Sequence, residues 1–176
     1  MTIEIKEKGS EAFYTEVVNV VSQYRYFLKK HDYKLKDNFR QFKLLLIVGT
    51  AVLVILILMM IFWGPDSFDY AVMAALLVSL LMSAVYLISL NKAKKGLMGA
   101  GGNSLLTLDE HGVELNKAGS QIVRLAWSSI AVLRIFRESM CFISKDQNGL
   151  VISVDRKYEE QVLGWLKENP TGLEII

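Results

Sequence analysis

The sequence predicts a membrane α-helical hairpin joined to a small α+β domain, an antiparallel sheet or partial barrel closed by a C-terminal helix. Three observations carry this. Leu44–Trp63 and Tyr70–Leu90 contain no ionisable Asp, Glu, Lys, Arg or His. From Ser104 onward, short runs of alternating apolar residues are separated by turn residues. The last of these runs passes into "DRKYEEQVLGWLKENP", whose apolar residues recur at helical spacing. The 176 residues suffice for one modest domain plus membrane segments, not for a large enzyme core. Hydrophobic residues make up 52% of the chain, and the excess is concentrated in the two uncharged runs.

At the N-terminus, "TIEIKE" alternates, with Ile3 and Ile5 on one face. "SEAFYTEVVNVVSQYRYFLKK" then reads as a helix, with Ser10 as N-cap and Glu11 in the first turn. Phe13, Val17, Val20, Val21, Tyr24, Phe27 and Leu28 form its apolar face. That face has three open uses: packing on the C-terminal domain, lying on the membrane surface, or binding a partner.

The two uncharged runs are each about twenty residues, long enough as helices to cross a bilayer's hydrocarbon core. Buried soluble helices are the alternative, and two such runs need a far larger protein to cover them. The first run is not a cleavable signal: it starts after 43 residues and has no small-x-small site before the polar break. Residues 1–43 hold nine Lys/Arg against six Asp/Glu, and Lys92, Lys94 and Lys95 follow the second run. The break holds Asp66 and Asp69 and no base. Basic flanks mark the cytoplasmic side, so both termini are expected inside a cell (inner) membrane, with the break outside. Phe62, Trp63, Phe68 and Tyr70 suit an outer interfacial belt, and Gly64-Pro65-Asp66 supplies turn chemistry. Ala71, Ala75, Ser79 and Ser83 form a small-residue stripe. A hairpin folded near residues 66–67 sets Gly49 opposite Ser83 and Ala84, so the stripe is expected to close the hairpin rather than recruit a partner. With no ionisable group in either span, a transporter or channel built from this chain alone is not expected.

"KAKKGLMGAGGNS" holds Gly96, Gly99, Gly101 and Gly102 and reads as a flexible linker. After it come "SLLTL", "VELN", "QIVRLAW", "SSIAVLRIF", "MCFIS" and "LVISV", about six strands, with turns at Gly112, Gly119 and Asn148-Gly149. Asp155 suits an N-cap for a final helix bearing Tyr158, Val162, Leu163, Trp165 and Leu166, and Asn169-Pro170 ends it. The expected organisation is therefore 1–43 cytoplasmic strand plus amphipathic helix, 44–63 first transmembrane helix and 64–69 external turn. Next come 70–91 second transmembrane helix, 92–103 linker, 104–169 cytoplasmic domain and 170–176 tail. About seventy residues is marginal for independent stability, so the N-terminal strand and helix are candidates to complete the domain.

The strand pair "LLTLDEHGVEL", the Trp127-Ser128-Ser129-Ile130 turn into "AVLRIF", and "LVISVDRKY" before the last helix carry a family likeness. On these the chain resembles the YcxB-like family of prokaryotic membrane proteins. Val154-Asp155-Arg156 lacks the proline that the family tends to carry there. The resemblance implies two membrane helices followed by a pleckstrin-homology-like domain, and no assigned activity.

No catalytic constellation is visible: there is no G-x-S-x-G and no H-E-x-x-H. Asp109/Glu110 and Glu159/Glu160 read as solvated carboxylates. His31 and His111 lack ligands at metal spacing, so no metal and no cofactor are expected. The lone cysteine, Cys141, sits in an apolar alternation and reads as a small core hydrophobe, and Trp127 as a core anchor. Residues 92–176 carry eleven bases and ten acids, which does not suit nucleic acid. Candidate lipid or partner contacts are Lys92, Lys94, Lys95, Arg134 and Arg137, the last two alternatively on a solvated strand edge. Candidate helix-packing residues are Gly49, Ala71, Ala75, Ser79 and Ser83. The expected function is non-enzymatic: a bilayer-embedded protein presenting a small domain to a protein partner, a second copy or lipid head groups. An accessory subunit of a transport or secretion complex is the alternative, and a membrane enzyme with an unrecognised site is a further one.

Overall fold

The structure is a computed structural model that describes residues 1–5, 9–30, 32–64, 66–99, 103–117, 121–146 and 149–176. His31, Pro65, Gly101, Gly102, Gly119 and Asn148, which enter the expectations above, lie outside the described residues. The chain forms two units, Met1–Leu35 with Lys94–Ile176, and Lys36–Ala93.

The first unit begins with β1 (Thr2–Ile5) and α1 (Glu11–Lys29). It resumes at the end of α3 (Ser67–Gly99) and continues with β2 (Ser104–Leu108), β3 (Gly112–Lys117), β4 (Gln121–Ala126), β5 (Ile130–Ile135), β6 (Ser139–Ser144), β7 (Val151–Asp155) and α4 (Glu159–Glu168). Two antiparallel sheets result, ordered β1-β2-β3-β4 and β5-β6-β7. β1 pairs with β2 in the register Ile3↔Leu106, so the N-terminal strand completes the first sheet.

The main core lies between the sheets and under α4. Leu106, Leu108, Val113, Leu115 and Leu125 of the first sheet meet Leu133, Met140, Phe142, Ile152 and Val154 of the second, with Val162 and Leu166 from α4. A second core lies on the other face of β5-β6-β7, where Val20 and Phe27 of α1 pack with Val132, Cys141 and Ile143. Strand alternation sends Met140 and Phe142 one way and Cys141 and Ile143 the other. Every residue of β6 is therefore buried. A register shift between Ile130 and Val132 sets Ala131 and Val132 on the α1 side together.

Local chemistry explains the joints. Ser10 caps α1, accepting from the Phe13 N–H at 3.0 Å. Between β2 and β3, the Asp109 carboxylate accepts the N–H groups of His111 (2.8 Å) and Gly112 (2.9 Å), an Asx-type turn. The His111 amide is the main cause holding this carboxyl below its ordinary pKa, and Gly112 and Arg124 act in the same direction. A side chain at position 112 would run into the Leu125 carbonyl oxygen, so glycine is required by close approach. Asp155 caps a 3-10 turn, Arg156–Tyr158, by accepting from the Lys157 N–H at 3.0 Å, and α4 begins only after that turn.

Three differences from the sequence reading have physical causes. The apolar face of α1 is used within the chain, on β5-β6-β7, but it is rotated: Tyr14 and Val18 are buried while Val21 is 42% exposed. Residues 92–99 are not a linker but the end of α3. Ala93, Lys94, Lys95, Leu97 and Met98 favour helix, and each glycine costs only about 1 kcal/mol against alanine. Residues 170–176 are not a free tail. Ile175 bridges in parallel to Leu133, and the Leu133 and Ile135 N–H groups donate to Glu174 and Ile176 at 2.9 Å each.

The second unit is a helical hairpin of α2 (Asn38–Trp63) and the part of α3 up to Ala93. Asp37 caps α2 by accepting from the Arg40 N–H at 3.1 Å. Gly64 ends it at φ 81°, the left-handed region that suits glycine. Asp66 and Asp69 then cap α3 reciprocally, Asp69 N–H to Asp66 at 2.8 Å and Asp66 N–H to Asp69 at 3.2 Å. On α2, beyond the buried Asn38 and Phe39, the less exposed residues are Phe42, Leu46, Gly49, Leu53, Leu56 and Met60. On α3 they include Met73, Leu76, Leu80, Ser83 and Leu87. Spacings alternating between three and four residues mark a left-handed two-helix seam.

Candidate interaction surfaces

The seam corrects the expected partner of Gly49. An added Cβ there would meet Leu80 Cδ2 at 2.7 Å, so Gly49 faces Leu80 rather than Ser83 and Ala84. The rings of Phe42 and Tyr86 lie 4.5 Å apart, in the same register. The cause is the turn: α2 runs to Trp63 and α3 starts at Ser67, which centres the reversal about two residues earlier than expected. The small-residue stripe therefore does not close the hairpin. Ser83 is buried and donates to Ser79 O at 2.7 Å, but Ala71, Ala75 and Ser79 are exposed.

The five candidate contacts separate into different environments. Lys92 and Lys95 are exposed on α3. Lys94 is drawn into an ion pair with Glu11 at 2.7 Å and keeps 15% of its side-chain surface exposed. Arg137, at the β5–β6 turn, is 89% exposed and lies 3.4 Å from its neighbour Glu138. Arg134 is 5% exposed and is no surface contact. Its guanidinium lies 4.8 Å from the Phe27 ring centre and donates to Tyr33 O at 2.8 Å and Lys30 O at 3.4 Å. These carbonyls lie at and beyond the C-terminal end of α1, where the helix dipole favours a cation. Burial pushes the guanidinium's pKa down, opposed by the charges of Glu174 and Asp32. The expectation of a solvated edge fails because α1 covers the strand face from which Arg134 projects.

Sequence reasoning missed a buried polar chain beside it. Glu16 of α1 accepts from Ser139 Oγ at 2.7 Å and from the Glu138 N–H at 3.0 Å. Ser139 Oγ lies 3.6 Å from Cys141 Sγ, which lies 3.3 Å from Ser153 Oγ. Burial pushes the Cys141 thiol up to about 11, so at neutral pH it is a protonated core group rather than a nucleophile. Its folded pKa is raised above the ordinary 9.0, so the unfolded chain loses this proton first as pH rises. Stability is expected to fall between about pH 9 and pH 11, by on the order of 2 kcal/mol. Comparing denaturation of the wild-type chain and Cys141→Ala across that range isolates the effect. Parallel curves for the two proteins would remove it.

Trp127 is the anchor that the sequence suggests. Its indole N–H donates to Asp109 O at 2.9 Å, and its ring stacks on Trp165 at 5.8 Å, tying the β2–β3 turn to α4. Among the described residues, no group of three or more His, Cys, Asp or Glu side chains is placed to hold a metal. An open apolar concavity of about 340 Å³ on α2 is lined by Ile55, Leu58, Met59, Phe62 and Trp63, and supplies no acid, base or nucleophile. No family model, no curated protein and no solved structure matches this chain.

Proposed function

We propose that this is a two-pass membrane protein whose folded domain serves protein or lipid interaction and carries no catalysis of its own. The observation that carries the reading is the uncovered hairpin. The most apolar 18-residue stretch of α2 has no buried residue, and that of α3 is 6% buried. Soluble monomers rarely leave contiguous apolar patches beyond a few hundred Å² in water, so a hydrocarbon phase is the fitting cover. Both ends of the hairpin run into the same folded unit, which fits an even number of crossings. Lys36, Arg40, Lys43 and Lys92 stand toward its open end and Asp66 and Asp69 at its turn, which favours the open end inside. The arrangement of four plus three antiparallel strands followed by a helix supports a pleckstrin-homology-like reading of the domain and with it the YcxB-like resemblance. Such folds host binding of several kinds, so the site rather than the fold has to name the ligand.

Ser67→Cys is expected to react with an impermeant thiol reagent on intact cells and Asn116→Cys only after lysis, with the wild-type chain as blank. The opposite labelling would invert the topology, and extraction of the protein by alkaline carbonate would remove the membrane reading. Purification in mild detergent then separates the partners: stoichiometric recovery with a larger membrane protein favours the accessory-subunit alternative.

A further inference from the structure

The β5-β6-β7 sheet has β5 at one margin, and a margin strand presents unpaired N–H and C=O groups unless something covers them. Here the cover is the chain's own Leu173–Ile176. Glu174 O accepts from the Leu133 N–H, Ile176 O accepts from the Ile135 N–H, and the Ile176 N–H donates to Leu133 O, each at 2.9 Å. The pairing is parallel and centred on Leu133↔Ile175.

The two sides of this contact are unequal. β5 is rigidly held: it pairs with β6 along its length, and Leu133 is completely buried. The covering segment is lightly held. It leaves α4 past Pro170 and turns at Gly172, whose φ of 69° suits glycine. Leu173 packs against the main core, while Ile175 and Ile176 are 46% and 40% exposed. Short parallel pairing whose last two side chains stay largely exposed belongs to the low-stability end of a fold. A fixed margin strand holding a loosely anchored extended segment is the geometry of strand addition, in which backbone bonds give affinity and alternate side chains give selectivity.

We propose that the outer margin of β5 is a docking site for an extended peptide of pattern leucine–acidic–aliphatic–aliphatic, and that Leu173–Ile176 occupies it in cis. The pattern follows from the present occupant. The leucine enters the core margin, the acid's charge favours the Arg134 cation, and Ile175 pairs with Leu133 of the strand. A partner carrying such a segment would displace the chain's own copy. This deepens the interaction-module reading and rests on it.

The test uses the full chain in mild detergent, a chain ending at Pro170, and full-length Leu173→Asp, which loosens the anchor without shortening the protein. The probe is a fluorescent peptide of sequence Thr-Gly-Leu-Glu-Ile-Ile, followed by anisotropy. Both variants are expected to bind it at least tenfold more tightly than wild type, because a tethered competitor acts at on the order of millimolar effective concentration. A peptide with aspartate in place of leucine is expected to bind at least tenfold more weakly. Absence of peptide binding by folded variants overturns the proposal. So does unfolding of both variants, which would make the segment part of the core fold rather than an occupant. Carbonate resistance of the same proteins in membranes, before solubilisation, reads the membrane assignment separately, so either idea can fail alone.

Discussion

Phe142→Ala in the intact chain is expected to lower unfolding stability by about 3–5 kcal/mol, the cost of deleting a large buried aromatic. Phe142 is completely buried in the middle of the central strand β6, paired across to Leu133 on one side and Ile152 on the other. Its ring lies 6.3 Å from that of Trp127, which stacks in turn on Trp165. The neighbours are fixed by backbone ladders on both flanks and by α4 above, so they have little freedom to collapse into the space. A cavity of that kind adds to the lost transfer energy rather than being absorbed. Urea unfolding followed by tryptophan fluorescence measures it, because two of the three tryptophans border this core. Val21→Ala, on the exposed side of α1, is the control and should stay within about 0.5 kcal/mol. A Phe142 effect below about 1 kcal/mol would contradict the packing described.

The same central strand shows where sequence legibility ended. Strands, turns and helices were readable because each rests on local signals: Ser10 and Asp155 at caps, alternation in "SLLTL", helical spacing in α4. Which face of a strand is wet is not a local property. Alternation separates inside from outside only when one face meets solvent, and β5-β6-β7 is covered on one side by the first sheet and on the other by α1. Arg134, expected at a solvated strand edge, is enclosed by that second cover instead. The available signal was the near-continuous apolar run "MCFIS" beside "IAVLRI", which is what a doubly covered strand looks like.

The hairpin teaches a related lesson about register. Composition locates both apolar helices, but helix pairing depends on where the reversal is centred: recentring it by about two residues moves the residue opposite Gly49 from Ser83 and Ala84 to Leu80, about one turn. Leu80 therefore stands against Gly49, and Ala71, Ala75 and Ser79 are exposed because a strict four-residue spacing drifts off the three-four seam that Ser83 joins. The caps decide it: Gly64 stops α2 and the Asp66–Asp69 pair starts α3. Both signals stand in the sequence, but only together do they fix the turn's length.

Arg134→Met is expected to destabilise the chain by about 2–4 kcal/mol, and this distinguishes a clamp from a ligand contact. Methionine keeps length and contact with Phe27 while removing the charge and all donors. Tyr33 O would then lose its Arg134 donor, a cost of about 1–3 kcal/mol, while Lys30 O keeps the Tyr33 N–H at 3.2 Å, and the cation over the ring would be lost as well. Part of this is offset because a buried guanidinium no longer has to be desolvated. Arg134→Lys should recover only a fraction, since a single ammonium cannot reproduce the fork that reaches both carbonyls. The second readout is amide exchange in the last turn of α1, which should speed up in both variants because Arg134 holds that helix end to β5. A surface role predicts the reverse pattern: unchanged melting and exchange, with weaker association of the folded protein with anionic vesicles. Arg137→Met is the matched control, because its exposed side chain can reach a head group and supports no core. If Arg134→Met melts like wild type while Arg137→Met does not, the clamp is wrong.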